Sequence, residues 1–366
     1  MKQIRILYDK YFDFSGNKLT LGGIQTYITD LSELCHSLGY KVTIYQMGDS
    51  DKTASLENCE IRQVIIKHAD YQGFVNKVSL LIDSNDLVIF ATDMIIPRKN
   101  PFTNSLAIQH GICWDMPRSQ ARATILMHLI KAYRNYKISS RIKSVKSLVC
   151  VDYNFINWLR AQSDSIGTKL IGIPNYTKIS EPIVKPQDKI NIIFARRLWW
   201  YRGTRIFTNA IIPILESHDN ITVTVAGEGP DLEYMHSKLD RYKNVSFISY
   251  ESSESLSIHA DKHIAIVPTV GSEGTSLSLL EAMSAQCAVI ASNVGGMTNI
   301  ILDGYNGLLV NAGDEKDLQN AVESLLNDTT MMTEIANNAY HTVCKAFSHE
   351  KWEQKWTNVI KTAIHE

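Results

Sequence analysis

Apolar and polar positions alternate from the start of the chain, so MKQIRILYDK reads as a first strand, and short β-rich runs then recur with amphipathic segments between them. In the first half the runs are IRILYD, KVTIYQ, IRQVII, DLVIFAT, SLAIQHG, SLVCVD and KLIGIP. In the second they are INIIFAR, ITVTVAG, VSFISY, HIAIVPT, AVIAS and GLLV. Segments such as GIQTYITDLSELCHSL and GTRIFTNAIIPIL carry helical spacing instead. Strands alternating with helices predict an α/β fold whose parallel sheets are covered on both faces. The rhythm breaks at PNYTKISEPIVKPQD, where Pro174, Pro182 and Pro186 predict a linker over 174–188. The linker divides a domain at 1–173 from one at 189–345. Residues 346–366, with Trp352 and Trp356, predict a last helix that packs back on the N-terminal domain. Ligands of open parallel sheets sit beyond the carboxyl ends of the strands, so two such domains predict a ligand in the cleft between them.

Composition narrows the picture without changing it. The chain has 366 residues, 45% hydrophobic and 20% charged, with a formal net charge of -1. That balance suits a folded protein and argues against a nucleic-acid binder, so no nucleic-acid partner is expected. Six scattered cysteines with no C-x-x-C pair suit reduced thiols better than a disulfide framework or a zinc site. The first residues show no apolar stretch with a small-residue cleavage site, and no run approaches the ~20 apolar residues of a membrane span. The expected location is cytoplasmic, with the inner face of a membrane as a further option.

The candidate chemistry lies just after strands. In GSEGTSLSLLEAM, a loop from Gly271 to Gly274 follows the strand HIAIVPT, and a helix is expected to begin near Thr275 or Ser276, with either hydroxyl as its cap. Free N–H groups at such a start favour an anion such as phosphate. Glu273 before the helix and Glu281 roughly 9 Å farther along its axis could grip the sugar and ribose hydroxyls of one nucleotide-sugar. After INIIFAR, the loop ARRLWWYRGT gathers Arg196, Arg197 and Arg202. Clustered guanidiniums suit a diphosphate leaving group, which would then need no metal. Arg197 reads as a solvated surface residue. Gly22 and Gly23 in LTLGGIQTY open a helix where backbone N–H groups can approach phosphate. His110 ends the strand in AIQHGICWD, and Gly227 and Gly229 shape a turn in AGEGPD.

Taken together, EGTSLSLLEAM, ARRLWWYRGT, AGEGP, LGGIQTY and the tail SNVGGMTNIILDGYNGLLVNAGDEKDLQNAVESLLND resemble the retaining GT-B glycosyltransferases of the large family 4 type. The likeness runs along the whole chain and is most specific from Ile190 to Asp328. It implies two Rossmann-like domains facing a cleft and a nucleotide-diphosphate sugar as donor substrate, with no cofactor. In roles carried over, Arg196 and Arg202 bind the donor diphosphate and Gly23 approaches it. Glu273 touches the transferred sugar, Glu281 the ribose, and His110 lies by the sugar. The backbone around Gly274, Thr275, Ser276 and Leu277 contacts sugar or phosphate. Two positions depart from the pattern: Arg202 stands where lysine is commoner, and Thr275-Ser276 where an aromatic residue and glycine are common. The mechanism implied is same-face attack by an acceptor hydroxyl, with the leaving diphosphate helping to take the proton.

Residues 118–146 hold eight Lys or Arg residues, from Arg118 and Arg122 to Lys143 and Lys146. No acid falls between Asp115 and Asp152, and Leu126, Leu129, Tyr133 and Tyr136 recur at helical spacing. A basic amphipathic helix can lie on an anionic membrane, which points to a lipid-linked glycan acceptor of surface-polysaccharide assembly, such as O-antigen or capsule. The other readings are a soluble small-molecule or protein acceptor and a non-catalytic sugar-nucleotide-binding subunit. A dehydrogenase would need G-x-G-x-x-G after a strand, which is absent. Asp49-Ser-Asp51 has the D-x-D pattern of metal-dependent transferases of another fold, but it is remote in sequence from the other motifs, and no metal ligand is assigned.

Overall fold

The computed structural model describes residues 3–20, 22–110, 124–162, 167–271 and 273–365. The chain divides into two compact units. One ends at Ile173 and also takes Glu353 onward; the other runs from Pro174 to Trp352.

The first unit carries strands β1 (Ile4–Tyr8), β2 (Val42–Gly48), β3 (Thr53–Ser55), β4 (Glu60–Ile65), β5 (Leu87–Phe90), β6 (Ser105–Gln109), β7 (Ser147–Cys150) and β8 (Lys169–Gly172). Its helices are α1 (Gly23–Ser37), α2 (Tyr71–Ser79), α3 (Ile125–Ile142) and α4 (Tyr153–Gln162). The sheet order is β3-β4-β2-β1-β5-β6-β7-β8. All seven strands expected in this half form parallel pairs; β3, which the sequence pattern missed, adds an antiparallel edge on β4. Leu7, Phe90, Ala107, Leu148 and Cys150 turn to one face, where they pack with Phe74 of α2, Ile142 of α3 and Phe155 of α4. Alternation sends Ile6, Ile89, Ile108 and Val149, also buried, to the other face.

The second unit holds β9 (Ile190–Ala195), β10 (Ile221–Ala226), β11 (Val245–Ile248), β12 (Ile264–Val267), β13 (Ala288–Ser292) and β14 (Leu308–Val310). Its helices are α5 (Thr204–Ser217), α6 (Leu232–Leu239), α7 (Leu277–Ser284), α8 (Glu315–Asn327) and α9 (Thr329–Ala346); a last helix, α10 (His349–His365), follows. The six strands, all parallel, lie in the order β11-β10-β9-β12-β13-β14. Ile192 and Phe194 face a core with α5, α6 and α8, while Ile193 and Ala195 face the core of α7 and the later turns of α9. A buried strand needs apolar residues on both faces, which explains the continuous runs INIIFA and AVIAS.

The expected linker is a strap on the second unit. Asn175 Nδ2 donates to Thr275 O at 2.8 Å, and Ser180 N to Ser284 Oγ at 2.8 Å. Lys185 Nζ donates to Gln286 O at 2.6 Å. Prolines suppress helix and strand here, yet these hydrogen bonds still anchor the extended segment on the second unit. The last helix divides at Trp352/Glu353 between the units. Beyond that point Trp356 Nε1 donates to Tyr27 Oη at 2.7 Å, and Ala363 O accepts from Asn104 Nδ2 at 3.0 Å. Cys35, Cys59, Cys150, Cys287 and Cys344 are free thiols.

Candidate active site

In the second unit the sheet order reverses between β9 and β12, and the crevice beyond such a switch point is where open α/β sheets hold ligands. Arg196 follows β9 and Thr269 follows β12, so adjacent strand ends bring them together. Arg196 is 5% exposed; its Nη1 donates to Thr269 Oγ1, and its Nη2 lies 2.7 Å from both carboxylate oxygens of Glu273. Thr269 Oγ1 reaches Glu273 Oε2 at 2.8 Å. Arg202 Nη1 stands 2.6 Å from Glu273 Oε1 as a charge pair, off the line of a proper hydrogen bond. Burial pushes the Glu273 carboxyl up, but Arg196 and Arg202 overcome it and hold the group at about 2. Glu273 is therefore an anion that fixes two guanidiniums side by side, an arrangement of preorganised cations able to receive an anion.

The loop geometry explains why these side chains converge. Arg202 closes a 3₁₀ turn, Trp200–Arg202, and Gly203 then starts α5 with a left-handed φ of 84°. Gly227 has φ 132°, and a Cβ there would stand 2.1 Å from Arg196 O; Gly229 approaches Leu198 O in the same way. The turn after β10 thereby rides directly on the arginine loop, with Arg196 N donating to Ala226 O at 2.9 Å and Leu198 N to Glu228 O at 2.8 Å. Gly227 and Gly229 shape the loop that aims Arg196. Arg197 is exposed, as its sequence context suggested.

The helix start has its cap position at Ser276, one of the two expected, but lacks the expected capping bond. α7 begins at Leu277, with Ser276 in the cap position, but no side chain caps it. The Ser276 hydroxyl instead lies 3.2 Å from Ser278 Oγ. Thr275 and Ser276 are buried, and Asn175 claims the Thr275 carbonyl. The first-turn N–H groups of α7 are thus left without a hydroxyl cap. Because α7 starts at Leu277, Glu281 sits just past the first turn, roughly 6 Å along the axis from Leu277. Burial raises the Glu281 carboxyl, opposed by a bond from Ser255. Tyr250 neighbours it: burial and the Glu281 charge push its phenol up to about 12. The loop from Glu273 through Gly274 is pinned from behind by Gly296 N, which donates to Glu273 O at 2.6 Å. Thr269 and Gly296 were not singled out from sequence. The signal for Thr269 was its place four residues before Glu273, just beyond an apolar strand.

In the first unit, Gly22 is the extended N-cap of α1 and Gly23 its first residue, again with no side-chain cap. His110 follows β6 and stands edge-on to Tyr27, with ring centroids 4.7 Å apart and planes at 87°. Burial lowers the imidazole to about 4, opposed by a bond involving the Ala91 backbone, so the ring is neutral at physiological pH. Its Nε2 has no partner among the described residues. A neutral imidazole with a free nitrogen suits hydrogen bonding to a sugar hydroxyl. Asp93 and Asp152, at the ends of β5 and β7, are raised to about 6 by burial. Asp49 and Asp51 are exposed after β2, and no group of three metal-ligating side chains occurs among the described residues. In the basic stretch, Arg118 and Arg122 lie outside the described residues. α3 exposes Ile125, Leu126, Leu129, Tyr133 and Tyr136, and buries only Ile142. No helix of the described residues is long and apolar enough to cross a membrane.

Residues 175–342 match the family described as glycosyl transferases group 1. The chain is 25% identical over 280 residues to an uncharacterised glycosyltransferase of Methanocaldococcus jannaschii, covering 72% of this chain and 70% of that protein. It is 27% identical over 174 residues to an α-1,4-N-acetyl-D-galactosaminyltransferase of Campylobacter jejuni named for a diphospho-undecaprenol-linked acceptor, spanning 46% of this chain and 47% of that protein. Its fold is similar to that of WaaG, a glycosyltransferase involved in lipopolysaccharide biosynthesis, with a TM-score of 0.70, 18% identity, and 96% and 98% of the two chains covered. The second unit thus carries the glycosyl transferases group 1 match, and the fold along the chain is that of GT-B glycosyltransferases.

Proposed function

We propose that the protein transfers a sugar, with retention, from a nucleotide-diphosphate sugar to a hydroxyl of a lipid-linked glycan in surface-polysaccharide assembly. The observation that carries the donor half is the fixed Arg196–Glu273–Arg202 cluster beside the uncapped start of α7. The guanidiniums bind and stabilise the leaving diphosphate, so no metal or other cofactor is required. Glu281 takes the ribose diol, the backbone from Gly274 to Leu277 takes the sugar and phosphate, and His110 bonds a sugar hydroxyl. With no base placed to activate the acceptor strongly, orientation and charge stabilisation do the work, and the departing phosphate oxygen receives the acceptor proton.

Calorimetry with UDP, GDP, dTDP and ADP is expected to find micromolar binding of one of them, weakened at least tenfold in Glu281→Ala. Absence of binding, or an unchanged variant, would remove the donor site from the helix start. With the matching sugar nucleotide, the anomeric proton coupling of the product reads retention directly; an inverted product would overturn the same-face mechanism.

The lipid-linked acceptor rests on α3. A helix that exposes Leu126, Leu129, Tyr133 and Tyr136 along one side, with Lys137 beside them, presents apolar area and positive charge to the same side, as binding to an anionic bilayer would need. Vesicles with one-third phosphatidylglycerol should sediment the protein, while phosphatidylcholine vesicles should not, and Leu129→Glu/Tyr133→Glu should lower binding by more than tenfold. Equal binding to both vesicle types, or to neither, would favour a soluble acceptor.

A further inference from the structure

The second unit opens at Pro174, and its next residue already reaches the loop that precedes α7. Asn175 Nδ2 donates to Thr275 O at 2.8 Å, a bond between residues 100 positions apart. The amide is half-buried, and the backbone that carries it is itself anchored. Thr177 N donates to Phe347 O at 3.0 Å. The Tyr176 ring packs on His349 and Trp352, with centroids 4.7 and 4.6 Å away. Asn175 therefore projects from a stretch whose position is set by its neighbours, and its short side chain has few torsions to fix.

What the bond fixes is a peptide plane. Thr275 and Ser276 are joined by a trans peptide, so the Thr275 carbonyl and the Ser276 N–H point in opposite directions. Holding the carbonyl on the strap turns that N–H away from the strap. The same device operates two residues earlier: Gly296 N donates to Glu273 O at 2.6 Å, which turns the Gly274 N–H away from Gly296. A Cβ at 296 would stand 2.6 Å from Gly274 C and O, so only glycine lets this second anchor come so close. Among the described residues neither the Gly274 N–H nor the Ser276 N–H meets an acceptor, although both residues are buried. Buried N–H groups are rarely left alone. These two stand beside the uncapped first turn of α7, and donors so grouped suit an anion.

We propose that Asn175 is a positioning residue for donor binding, which through the Thr275 carbonyl aims the Ser276 N–H at the nucleotide-diphosphate sugar. The inference rests on the donor-site reading above, in which the backbone from Gly274 to Leu277 takes the sugar and phosphate. Asn175 does not touch the donor. It fixes a backbone dipole before the ligand arrives, so losing its bond costs affinity while every group that meets the ligand is still present.

Calorimetry on the full chain, with UDP, GDP, dTDP and ADP as probes, tests this. Asn175→Asp turns the amide into a carboxylate of nearly the same shape, which at about pH 8 sets a negative oxygen against the Thr275 carbonyl. Binding of the preferred diphosphate should then weaken roughly tenfold relative to wild type. Near pH 5 the introduced carboxyl, raised by the same repulsion, regains a proton to donate, and the deficit against wild type at that pH should shrink to about threefold or less. Asn175→Ala has no donor at either pH, so its deficit should be the same at both. A melting curve at each pH shows that the variants are folded, and Asn175→Ala decides alone if the aspartate variant is not. Undiminished binding in Asn175→Ala, or an equal deficit of Asn175→Asp at both pH values, would overturn the proposal and leave Asn175 a packing residue of the strap. Glu281→Ala, measured alongside, separates the two readings. If it weakens binding and the Asn175 variants do not, only the positioning role falls; if wild type binds no diphosphate, the donor site falls and this role with it.

Discussion

Glu273→Leu is expected to destabilise the second unit by about 3–5 kcal/mol, because removing one partner of a buried ion pair strands the other. The stranded charges are Arg196, which is 5% exposed, and Arg202, whose side chain is 15% exposed. With no counter-charge the guanidiniums would repel each other in a partly desolvated crevice. The melting temperature should fall by about 10 °C. Arg196→Met introduced on top of Glu273→Leu should recover much of the loss, since an apolar replacement of a whole buried pair is often tolerated. If the single substitution leaves the melting temperature unchanged, the cluster does not hold the loop.

The same carboxyl sets a pH dependence. Its folded value, about 2, lies below the ordinary 4.5, because the two arginines outweigh burial. A depressed carboxyl contributes stability that is complete above the ordinary value and is lost as pH falls toward the folded value. The contribution is about 3 kcal/mol at neutral pH and disappears between about pH 4.5 and 2. Melting temperatures of wild type and Glu273→Gln should therefore converge through that window on acidification. Parallel curves would show that Glu273 is not held as an anion.

Arg202→Met is expected to lower kcat by about 10²–10³, the usual loss when one preorganised charge donor to a leaving group is removed. Unlike Arg196, Arg202 is partly solvated and closes a short turn, so the fold should survive its replacement. In its proposed role the guanidinium would act most strongly on charge that grows as the diphosphate departs, so nucleoside diphosphate affinity should fall less than kcat. Lysine at 202 should restore most of the rate, since it keeps the charge and loses only the planar fork. A variant that loses affinity and rate equally would make Arg202 a binding residue for the ground state alone.

Much of this protein was legible in its sequence because parallel sheets buried on both faces demand near-continuous apolar strands, and each expected run did become a strand. The short β3 was missed for the converse reason: Thr53–Ser55 is held by pairing to β4 and has no apolar signature of its own. Pairs of glycines, clustered arginines and two glutamates near a helix start are local features, and spacing alone singled them out. Sequence could not show that Glu273 would be gripped by Arg196, Arg202 and Thr269, because those contacts join residues up to 77 positions apart and exist only once β9 and β12 lie side by side. Packing likewise decided that α7 begins at Leu277 without a hydroxyl cap, that the proline-rich segment is a strap, and that α3 turns its apolar face outward. Local propensity records which residues favour an element; where the element starts, which face it buries and whose charge it meets are settled by neighbours that the chain brings together only on folding.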